Sequence, residues 1–196
     1  MPDSSAGGLT RRLLLAVPVT VRPCREPDLR DLEWFGAFTH HREIMANAFA
    51  SQSRGEAVLL VAEANGFPIG QVWIDLKQKA ALDTALLWAV RVFTPFRRAG
   101  LGAGLMTATE PIIRDRGLGW AELGVERDNP DARRFYERLG YRLTGTEKGY
   151  YTYTTPDGTY VKAPLDLWVM RKELRYARLP QPAEDGESAP LARRLR

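Results

Sequence analysis

Cysteine is nearly absent from this chain of 196 residues, in which Cys24 is the only thiol. A single cysteine cannot form a disulfide within the chain, so folding does not require an oxidising compartment. We therefore expect the protein in the cytoplasm. The two histidines, His40 and His41, adjoin each other, and neighbouring residues on a helix point apart. No cluster of cysteines or acids accompanies them, so we predict no metal site and no catalytic role for Cys24.

Long apolar runs are also missing. No segment approaches the roughly 20 apolar residues that a membrane-spanning helix needs, so we predict a soluble protein without a membrane segment. The apolar stretch after Arg11 and Arg12 stops at Pro18, and no small-residue cleavage site follows it. We therefore interpret this stretch as the lead-in to a first strand and not as a signal peptide.

A strong excess of one charge is the third absence. The net charge is +4, but residues 171–196 hold seven Lys/Arg against four Asp/Glu, which leaves about +1 for the rest of the chain. Arginine pairs at 11–12, 133–134 and 193–194 could hold phosphates, yet acids are dispersed among the basic residues and no basic stripe forms. We therefore predict no nucleic-acid partner.

Apolar periodicity is confined to the middle of the chain. Residues 1–15, rich in Ser and Gly, and residues 179–196, rich in Pro and charge, lack it and are predicted to be flexible and disordered, respectively. The remaining segment, 16–178, is long enough for one hydrophobic core and too short for two full domains. We expect a single folded domain over 16–178.

The first half of this domain mixes strand and helix patterns. Asp28, after Pro27, is the predicted N-cap of a helix that carries Leu29, Leu32 and Phe35 on one face. The dipeptide Asn65-Gly66 tolerates the positive φ angles of a tight hairpin. The predicted elements are a strand over 17–22, the helix from 28, a second helix over 40–51, and hairpin strands over 57–63 and 67–74.

The second half predicts a βαβ unit followed by further strands. The predicted elements are a strand over 84–93, a helix over 101–116, a strand over 120–125, a helix over 129–139, and strands over 141–146, 150–154 and 167–171. Pro111 is expected to kink or thin the helix that contains it. The order indicates a mixed α/β domain with antiparallel strands early and a βαβ unit late.

The segment Arg97 to Gly104 is glycine-rich and opens a predicted helix. Backbone N–H groups at a helix start bind phosphate oxygens, and Arg97 and Arg98 would add charge-assisted hydrogen bonds. The alternating Gly100, Gly102 and Gly104 do not fit the spacing of a dinucleotide-binding turn, and no Walker lysine follows. A flexible strand-to-helix loop is the alternative, so this turn alone does not decide the function.

Two motifs together resemble one family. Residues 92–102, VFTPFRRAGLG, are similar to the coenzyme A pyrophosphate motif (Arg/Gln-x-x-Gly-x-Gly/Ala) of the GNAT superfamily of N-acetyltransferases. Residues 123–141, with Asn129, Ala132, Tyr136 and Leu-Gly-Tyr at the end, are similar to its later motif. The resemblance covers roughly residues 16 to 172. It implies an α/β fold with a twisted, mostly antiparallel mixed sheet, splayed between strands 4 and 5 and flanked by about four helices.

The resemblance also implies a cofactor site. Acetyl-CoA would be the acetyl donor, with its pantetheine arm on the backbone of the fourth strand and its pyrophosphate on the turn. The implied cofactor-binding residues are Val90, Val92, Arg97, Arg98, Ala99, Gly100, Leu101, Gly102, Ala103 and Asn129. The implied catalytic residue is Tyr136, which would face the sulfur. Helix geometry agrees, since Asn129 is a good N-cap and Tyr136 follows two turns later on the same face.

The implied reaction is direct acetyl transfer to a primary amine, without a covalent acyl-enzyme. Tyr136 would protonate the departing thiolate, because a phenol is neutral at pH 7 and can donate one proton. A packing role beside Phe135 is the alternative for this tyrosine. The acceptor would be a small molecule, a protein N-terminus or a lysine, and a homodimer is left open.

The general base is missing from its usual place. Many family members carry an acid on the fourth strand about eleven residues before the first arginine of the motif, and here that position is Leu86. Asp83, Asp75 and Glu63 are nearby candidates, although each fits a solvated turn equally well, and we favour deprotonation through water. A non-catalytic acyl-CoA-binding relative therefore stays open as an alternative.

The residues that face the acceptor are not fixed by the sequence. Seven side chains could line an aromatic pocket: Trp34, His40, His41, Trp73, Trp88, Tyr150 and Tyr151. Tryptophan and tyrosine more often serve the core or a strand, so the structural role is favoured for each of them.

Overall fold

The structure is a computed structural model, and it describes residues 16–155 and 157–175. The predicted flexible segment 1–15, the predicted tail 179–196 and the predicted domain end at 178 lie outside the described residues. In the described part of the chain, every helix is too short or too polar to cross a bilayer.

Strands and helices alternate along most of the chain. The strands are β1 (Thr20–Pro23), β2 (Ala57–Ala64), β3 (Phe67–Asp75), β4 (Thr84–Val92), β5 (Trp120–Glu126), β6 (Arg142–Thr154) and β7 (Tyr160–Glu173). The α-helices are α1 (Asp28–Asp31), α2 (Arg42–Ser53), α3 (Leu101–Asp115) and α4 (Pro130–Arg138). Short 3-10 turns cover Thr39–His41, Ala80–Leu82 and Thr94–Phe96.

All strands join one sheet in the order β1-β2-β3-β4-β5-β7-β6. The pairing of β4 with β5 is parallel, and the other pairings are antiparallel. A parallel pair needs a crossover connection, which α3 supplies. The predicted mixed α/β fold with a mostly antiparallel sheet is confirmed.

The sheet is split between β4 and β5. The two strands pair over only four residues each, from Thr84 with Trp120 to Leu87 with Leu123. Beyond that point β4 continues to Val92 and β5 to Glu126 without pairing to each other. The predicted splay is therefore present, and it opens the sheet after Leu87.

Two apolar cores cover the two faces of the sheet. On one face, Leu105, Met106 and Ile113 of α3 pack with the inward residues of β2 to β5. On the other face, Met45 of α2 packs with Trp73 of β3. The helices α3 and α2 thus cover opposite faces of the sheet.

The hairpin between β2 and β3 forms as predicted. Asn65 and Gly66 adopt φ angles of 51° and 80°. Both angles are left-handed, a region that Asn and Gly tolerate better than other residues. The strand patterns at 57–64 and 67–75 thereby pair antiparallel.

The first helix is shorter than predicted. It ends at Asp31, and Asp28 is its first residue instead of its N-cap. Trp34 and Phe35 leave the helix with φ angles of 42° and 58°, and the Phe35 side chain is 85% exposed. The predicted apolar face with Phe35 on it is therefore wrong, because the chain turns sharply after Leu32.

The chain's last strands also differ from the prediction. Instead of three short strands, β6 and β7 form one long antiparallel hairpin that pairs from Arg142 with Arg171 to Thr154 with Tyr160. Gly145 and Gly149 broke the strand pattern in the sequence, but both lie within β6. Pairing along β7 supplies the backbone hydrogen bonds that hold these glycines extended.

A buried ion pair fixes the start of α1. Asp28 accepts hydrogen bonds from Arg22 Nη1 at 2.7 Å, from Arg22 Nη2 at 2.9 Å and from the backbone N–H of Arg25 at 2.6 Å. Burial raises the pKa of Asp28, but these hydrogen bonds outweigh it, so the net pKa lies below its ordinary value. The folded state therefore favours the carboxylate.

Asp28→Asn should lower the free energy of unfolding by about 2 kcal/mol at pH 7, because it removes one of the two carboxylates that pair with the buried Arg22 and leaves only Glu63. The pKa of Asp28 is lower in the folded state than its ordinary value of 3.8. Its contribution to the stability of the fold is therefore present at neutral pH and is lost as pH falls below 3.8 through the pKa of the folded state. Urea titrations of both proteins at pH 7 and pH 3 measure this. Glu56→Gln, in an exposed ion pair with Arg54, is the control and should change stability far less. Equal effects of the two substitutions would contradict the prediction.

Candidate functional site

The backbone of β4 is free on the side of the split. Phe93 N–H donates to Ile69 C=O at 2.8 Å, so it faces β3. Backbone groups alternate along a strand, which turns those of Val92 and Val90 toward the split. Arg97 Nε donates to Val92 C=O at 3.2 Å, consistent with that direction. The split therefore offers hydrogen-bonding backbone groups that β5 does not use.

A bulge at Ala89 changes the direction of the β4 side chains. Trp73 lies opposite Trp88 and Gln71 opposite Arg91, so β4 carries one residue more than β3 over this interval. Ala89 adopts φ 49°, a left-handed angle that is strained for alanine. Because of the extra residue, Arg91 lies on the same face as Trp88.

The glycine-rich turn follows β4 and starts α3. Arg98 and Gly100 adopt φ angles of 64° and 82°, and Gly100 is the residue before the helix. The N–H groups of Leu101, Gly102 and Ala103 belong to the first turn, where no preceding carbonyl in the helix is available. These donors, the positive end of the helix dipole and the guanidinium groups of the turn form an environment suited to phosphate.

This turn borders a groove of about 650 Å³, which we name the turn groove. One wall is formed by Val92, Arg97, Arg98, Gly100, Leu101 and Gly102, and the other by Asn129, Asp131, Ala132, Phe135 and Tyr136. Ala99 and Ala103 lie in the same turn but do not line the groove. The structure thus brings the turn and the start of α4 together.

Gly102 is required by close packing across the turn groove. A Cβ atom at this position would lie 3.3 Å from Phe135 Cζ and 3.8 Å from Val92 Cγ2. A Cβ atom at Gly104, further along α3, would meet nothing within 4 Å. Only the first of these glycines therefore lets α3 and α4 approach.

Asn129 and Tyr136 lie two turns apart on α4. Asn129 Oδ1 caps the helix by accepting from Ala132 N–H at 3.0 Å, so its amide nitrogen is the group that could reach a ligand. Tyr136 is 8% exposed, and its ring contacts Phe135 and Tyr141 edge to face. Burial raises the pKa of Tyr136 to about 12, which keeps the phenol protonated at neutral pH.

Two further cavities adjoin the turn groove. The split cavity, about 390 Å³, shares Val90, Asn129 and Tyr136 with it. The aromatic pocket, about 410 Å³, shares five residues with the split cavity: Trp88, Ala89, Arg91, Gly124 and Glu126. The three spaces follow one another through the opening between β4 and β5. A ligand on one face of the sheet can therefore meet a ligand on the other.

The three acids proposed from sequence as bases serve local structure. Asp83 pairs with Arg175 and accepts from Gly119 N–H at 2.8 Å. Glu63 pairs with Arg22 and accepts from Gly66 N–H at 3.2 Å. Neither lines the split cavity.

Asp75, the third candidate, accepts from the N–H groups of Lys77 and Gln78, each at 2.8 Å. It lies opposite Leu86 in the sheet, and Glu122 flanks Leu86 on the other side. All three border a fourth cavity, which shares Leu87, Trp88, Ala89, Leu123 and Gly124 with the split cavity. An acid at position 86 would have lain in the paired part of β4.

Glu126 is an acid that sequence reasoning missed. It ends β5 and lines both the split cavity and the aromatic pocket. Desolvation raises the pKa of Glu126, and the nearby carboxylates of Asp128 and Asp166 add to this. Its position in the later motif, three residues before Asn129, is the signal that could have pointed to it. The split cavity is therefore lined by an acid whose pKa is raised, which makes Glu126 a candidate for proton transfer.

Four of the seven candidate aromatic and histidine side chains line the aromatic pocket: His41, Trp73, Trp88 and Tyr151. Trp73 is also fully buried in the core, and Trp34 is buried with its indole N–H bound to Pro68 C=O at 2.8 Å. Tyr150 is mostly exposed beside Lys162. The structural role that we favoured fits Trp34, whereas Trp88 and Tyr151 face the pocket.

The two histidines do not point apart as predicted. Their ring centroids are 4.1 Å apart, because His40 and His41 lie in a 3-10 turn ahead of α2. Burial lowers the pKa of His41 to about 4, with the charges of Arg91 and His40 adding to the effect, so the His41 ring is neutral. Among the described residues no group of three or more potential metal ligands comes together.

Arg91 lies beside His41 in the aromatic pocket. Its guanidinium lies 4.4 Å above the ring centroid of Phe38, and Nη2 is 3.4 Å from His41 Nδ1. Desolvation by burial lowers the pKa of Arg91, although the group stays cationic at neutral pH.

Comparison with known proteins agrees with this geometry. An uncharacterised N-acetyltransferase from Methanocaldococcus jannaschii is 32% identical over 102 residues, which are 50% of this chain and 44% of that protein. The L-2,4-diaminobutyric acid acetyltransferase of Streptomyces coelicolor is 31% identical over 106 residues, 52% of this chain and 61% of that protein. The matched segments thus span about half the length of these two curated relatives.

A Salmonella typhimurium protein solved with its cofactor acetyl-CoA has the same fold. It superposes with a TM-score of 0.63 at 20% identity, over 84% of this chain and 98% of that one. The sequence pattern of the Acetyltransferase (GNAT) family matches residues 26–141, from just before α1 to the residue before β6. With more than half of its length inside that pattern, the chain belongs to the GNAT family of acetyltransferases.

Proposed function

We propose that this protein is an acetyl-CoA-dependent N-acetyltransferase that acts by direct attack of a primary amine. The observation that carries the proposal is the continuity of the turn groove, the split cavity and the aromatic pocket through the opening between β4 and β5. A donor held on one side can be attacked by an acceptor held on the other, so no acyl-enzyme is needed. The acceptor class is a small molecule, or a protein N-terminus or lysine.

The residues of the turn groove fit coenzyme A. The N–H groups of Leu101 to Ala103, with Arg97 and Arg98, would hold the pyrophosphate. The free backbone groups of Val90 and Val92 would pair with the amides of the pantetheine arm, and Asn129 would contact that arm. Acetyl-CoA supplies the thioester, whose carbonyl carbon forms the new bond.

Two side chains of the split cavity would handle the protons. Glu126 accepts the proton of the attacking amine, directly or across one water, as the N–C bond forms. Tyr136 donates its proton to the thiolate as the C–S bond breaks, and its high pKa keeps that proton available. Glu126 replaces the three acids that the sequence suggested, because it borders the same cavity as Tyr136.

The function is tested by following thiol release from acetyl-CoA with a panel of primary amines. Direct transfer predicts intersecting initial-velocity lines and no acetylated protein by mass spectrometry after incubation without an amine. Parallel lines with an acetylated intermediate would contradict it. Binding of acetyl-CoA without transfer to any amine would favour the non-catalytic acyl-CoA-binding alternative. Fractionation and sedimentation test the cytoplasmic location and a homodimer.

Glu126→Gln should lower kcat/KM on the order of 100-fold at pH 7, because it removes the base and keeps the side chain's size. A general base acts only when it is deprotonated. As pH drops through the raised pKa of Glu126, the logarithm of kcat/KM should therefore fall one unit more steeply per pH unit in wild type than in the variant. The measurement is the pH profile of kcat/KM for both proteins. Asp166→Asn, which removes a neighbouring charge and its ion pair with Arg127, should retain the profile's shape and move its midpoint to lower pH. Identical profiles for wild type and Glu126→Gln would show that water or another group takes the proton.

A further inference from the structure

We propose that Arg91 binds a carboxylate of the acceptor, so that the acceptor is an amine that also carries a carboxylate. This inference rests on the proposed function, because it describes the acceptor end of the same site. It makes Arg91 the residue that determines acceptor specificity. No sequence motif points to this arginine, since it lies between Val90 and Val92 within the strand.

Arg91 is a half-buried cation without an anion. None of the ion pairs among residues 16–155 and 157–175 includes it. Its close neighbours are the ring of Phe38 at 4.4 Å and His41 Nδ1 at 3.4 Å, and the phenol of Tyr151 is near enough to interact with its charge. Withdrawing a charge from water without a charged partner is unfavourable, so such a group is generally paired in its working state. A ligand anion would supply the missing partner.

The neighbours of Arg91 cannot supply that anion. His41 is neutral at pH 7, and it can only offer a ring nitrogen as acceptor. The Phe38 ring attracts a cation weakly and leaves the guanidinium fork open. Glu126 lines the same pocket, but it forms no ion pair with Arg91. The pocket thus presents a cation and an acid that do not touch each other.

The missing anion is expected on the acceptor and not on coenzyme A. Arg91 borders all three cavities, but the bulge at Ala89 places its side chain on the face of α2, with Trp88 and His41. The charged phosphates of coenzyme A would lie at the turn after Phe96, whereas the pantetheine arm beside β4 carries only amides and a hydroxyl. The thioester end therefore brings no negative charge to Arg91.

The charges of the pocket match a zwitterion in the required orientation. An amine near Glu126 would be next to the split cavity, where the thioester is expected, and a carboxylate near Arg91 would be held by the guanidinium fork. The carboxylate can be that of a free amino acid or the side chain of an acidic residue in a peptide. Both sources share the chemistry that Arg91 would recognise.

The test compares acceptors that differ in the carboxylate alone. Wild type and Arg91→Gln are assayed with L-2,4-diaminobutyrate and L-alanine, with their α-carboxamides, and with the C-terminally amidated dipeptides Ala-Glu-amide and Ala-Gln-amide. We expect wild type to prefer one carboxylate series, and Arg91→Gln to reduce that preference on the order of 10- to 100-fold, mainly through KM of the acceptor. Preference within the amino-acid pairs or within the dipeptide pair identifies the source.

Two control variants separate recognition from folding. Arg91→Lys keeps the charge and should retain part of the preference, while Arg54→Gln, on an exposed remote arginine, should retain all of it. The thermal midpoint and acetyl-CoA affinity are measured for each variant. The inference is overturned if wild type acetylates carboxamides or phosphoethanolamine better than carboxylates, or if Arg91→Gln leaves the preference unchanged. Failure of wild type to bind acetyl-CoA or acetylate any amine would overturn the proposed function instead.

Discussion

Gly102→Glu should abolish acetyl-CoA binding, with a rise in Kd on the order of 100- to 1,000-fold. A side chain at this position starts 3.3 Å from Phe135, at the border of the turn groove. It would place a negative charge where the N–H groups of α3 face the pyrophosphate. Calorimetric titration with acetyl-CoA and with desacetyl-CoA measures the loss.

Matched variants distinguish a charge effect on acetyl-CoA binding from a defect in folding. A glutamate near a helix N-terminus is favourable for the helix itself, so α3 should remain intact. Gly104→Glu puts the same charge on the same helix at a position with open space, and it should bind acetyl-CoA far better than Gly102→Glu. Gly102→Gln adds a side chain of similar size without the charge, and its Kd for acetyl-CoA should lie between those of the two glutamate variants. Wild-type affinity in Gly102→Glu would remove the turn from the cofactor site.

Tyr136→Phe should lower kcat by about 100-fold or more, with little change in the Kd of acetyl-CoA. Only the phenolic hydroxyl is removed, and it would act on the departing thiolate after the donor is bound. The pKa of Tyr136, about 12, keeps the group protonated through the range in which the enzyme would be assayed. Single-turnover thiol release and calorimetry on the same preparation measure the two quantities.

Tyr141→Phe is the matched control for this tyrosine. Tyr141 packs edge to face on Tyr136 at 5.9 Å, and its buried hydroxyl has no hydrogen-bond partner among the described residues. Removing that hydroxyl should leave kcat unchanged and be neutral or slightly stabilising. Equal losses in both variants would mean that Tyr136 supports packing, which was the alternative from sequence.

Local signals in the sequence were sufficient for much of the fold. Asn65-Gly66 needs left-handed angles, and the alternating strands on either side leave one hairpin geometry that fits. The helix from Pro130 begins at a capping asparagine and ends before Gly140, so its bounds follow from short-range chemistry. The splay between β4 and β5 came from the family resemblance and not from any residue pattern.

Long-range geometry explains what was missed. Phe35 fitted a helical face in the sequence, but the turn at Trp34 depends on that indole reaching Pro68 across the fold. Glu126 was not selected from the sequence, because its access to the split cavity depends on the divergence of β5 from β4. The turn residues and Tyr136 do meet in one groove, and their roles stay predictions that the variants above test.

The single extra residue at Ala89 reverses the alternation of side chains between the two faces of β4. Ahead of it, odd-numbered Leu87 faces α3, and beyond it even-numbered Val90 and Val92 do so. The extra residue therefore decides which face of the sheet each side chain lies on. Removing one residue there would exchange the two sets, sending Arg91 toward the core and a valine toward the acceptor. If Arg91 binds the acceptor as proposed, a deletion at Ala89 should therefore abolish the acceptor preference, whereas substitutions at position 91 should change it.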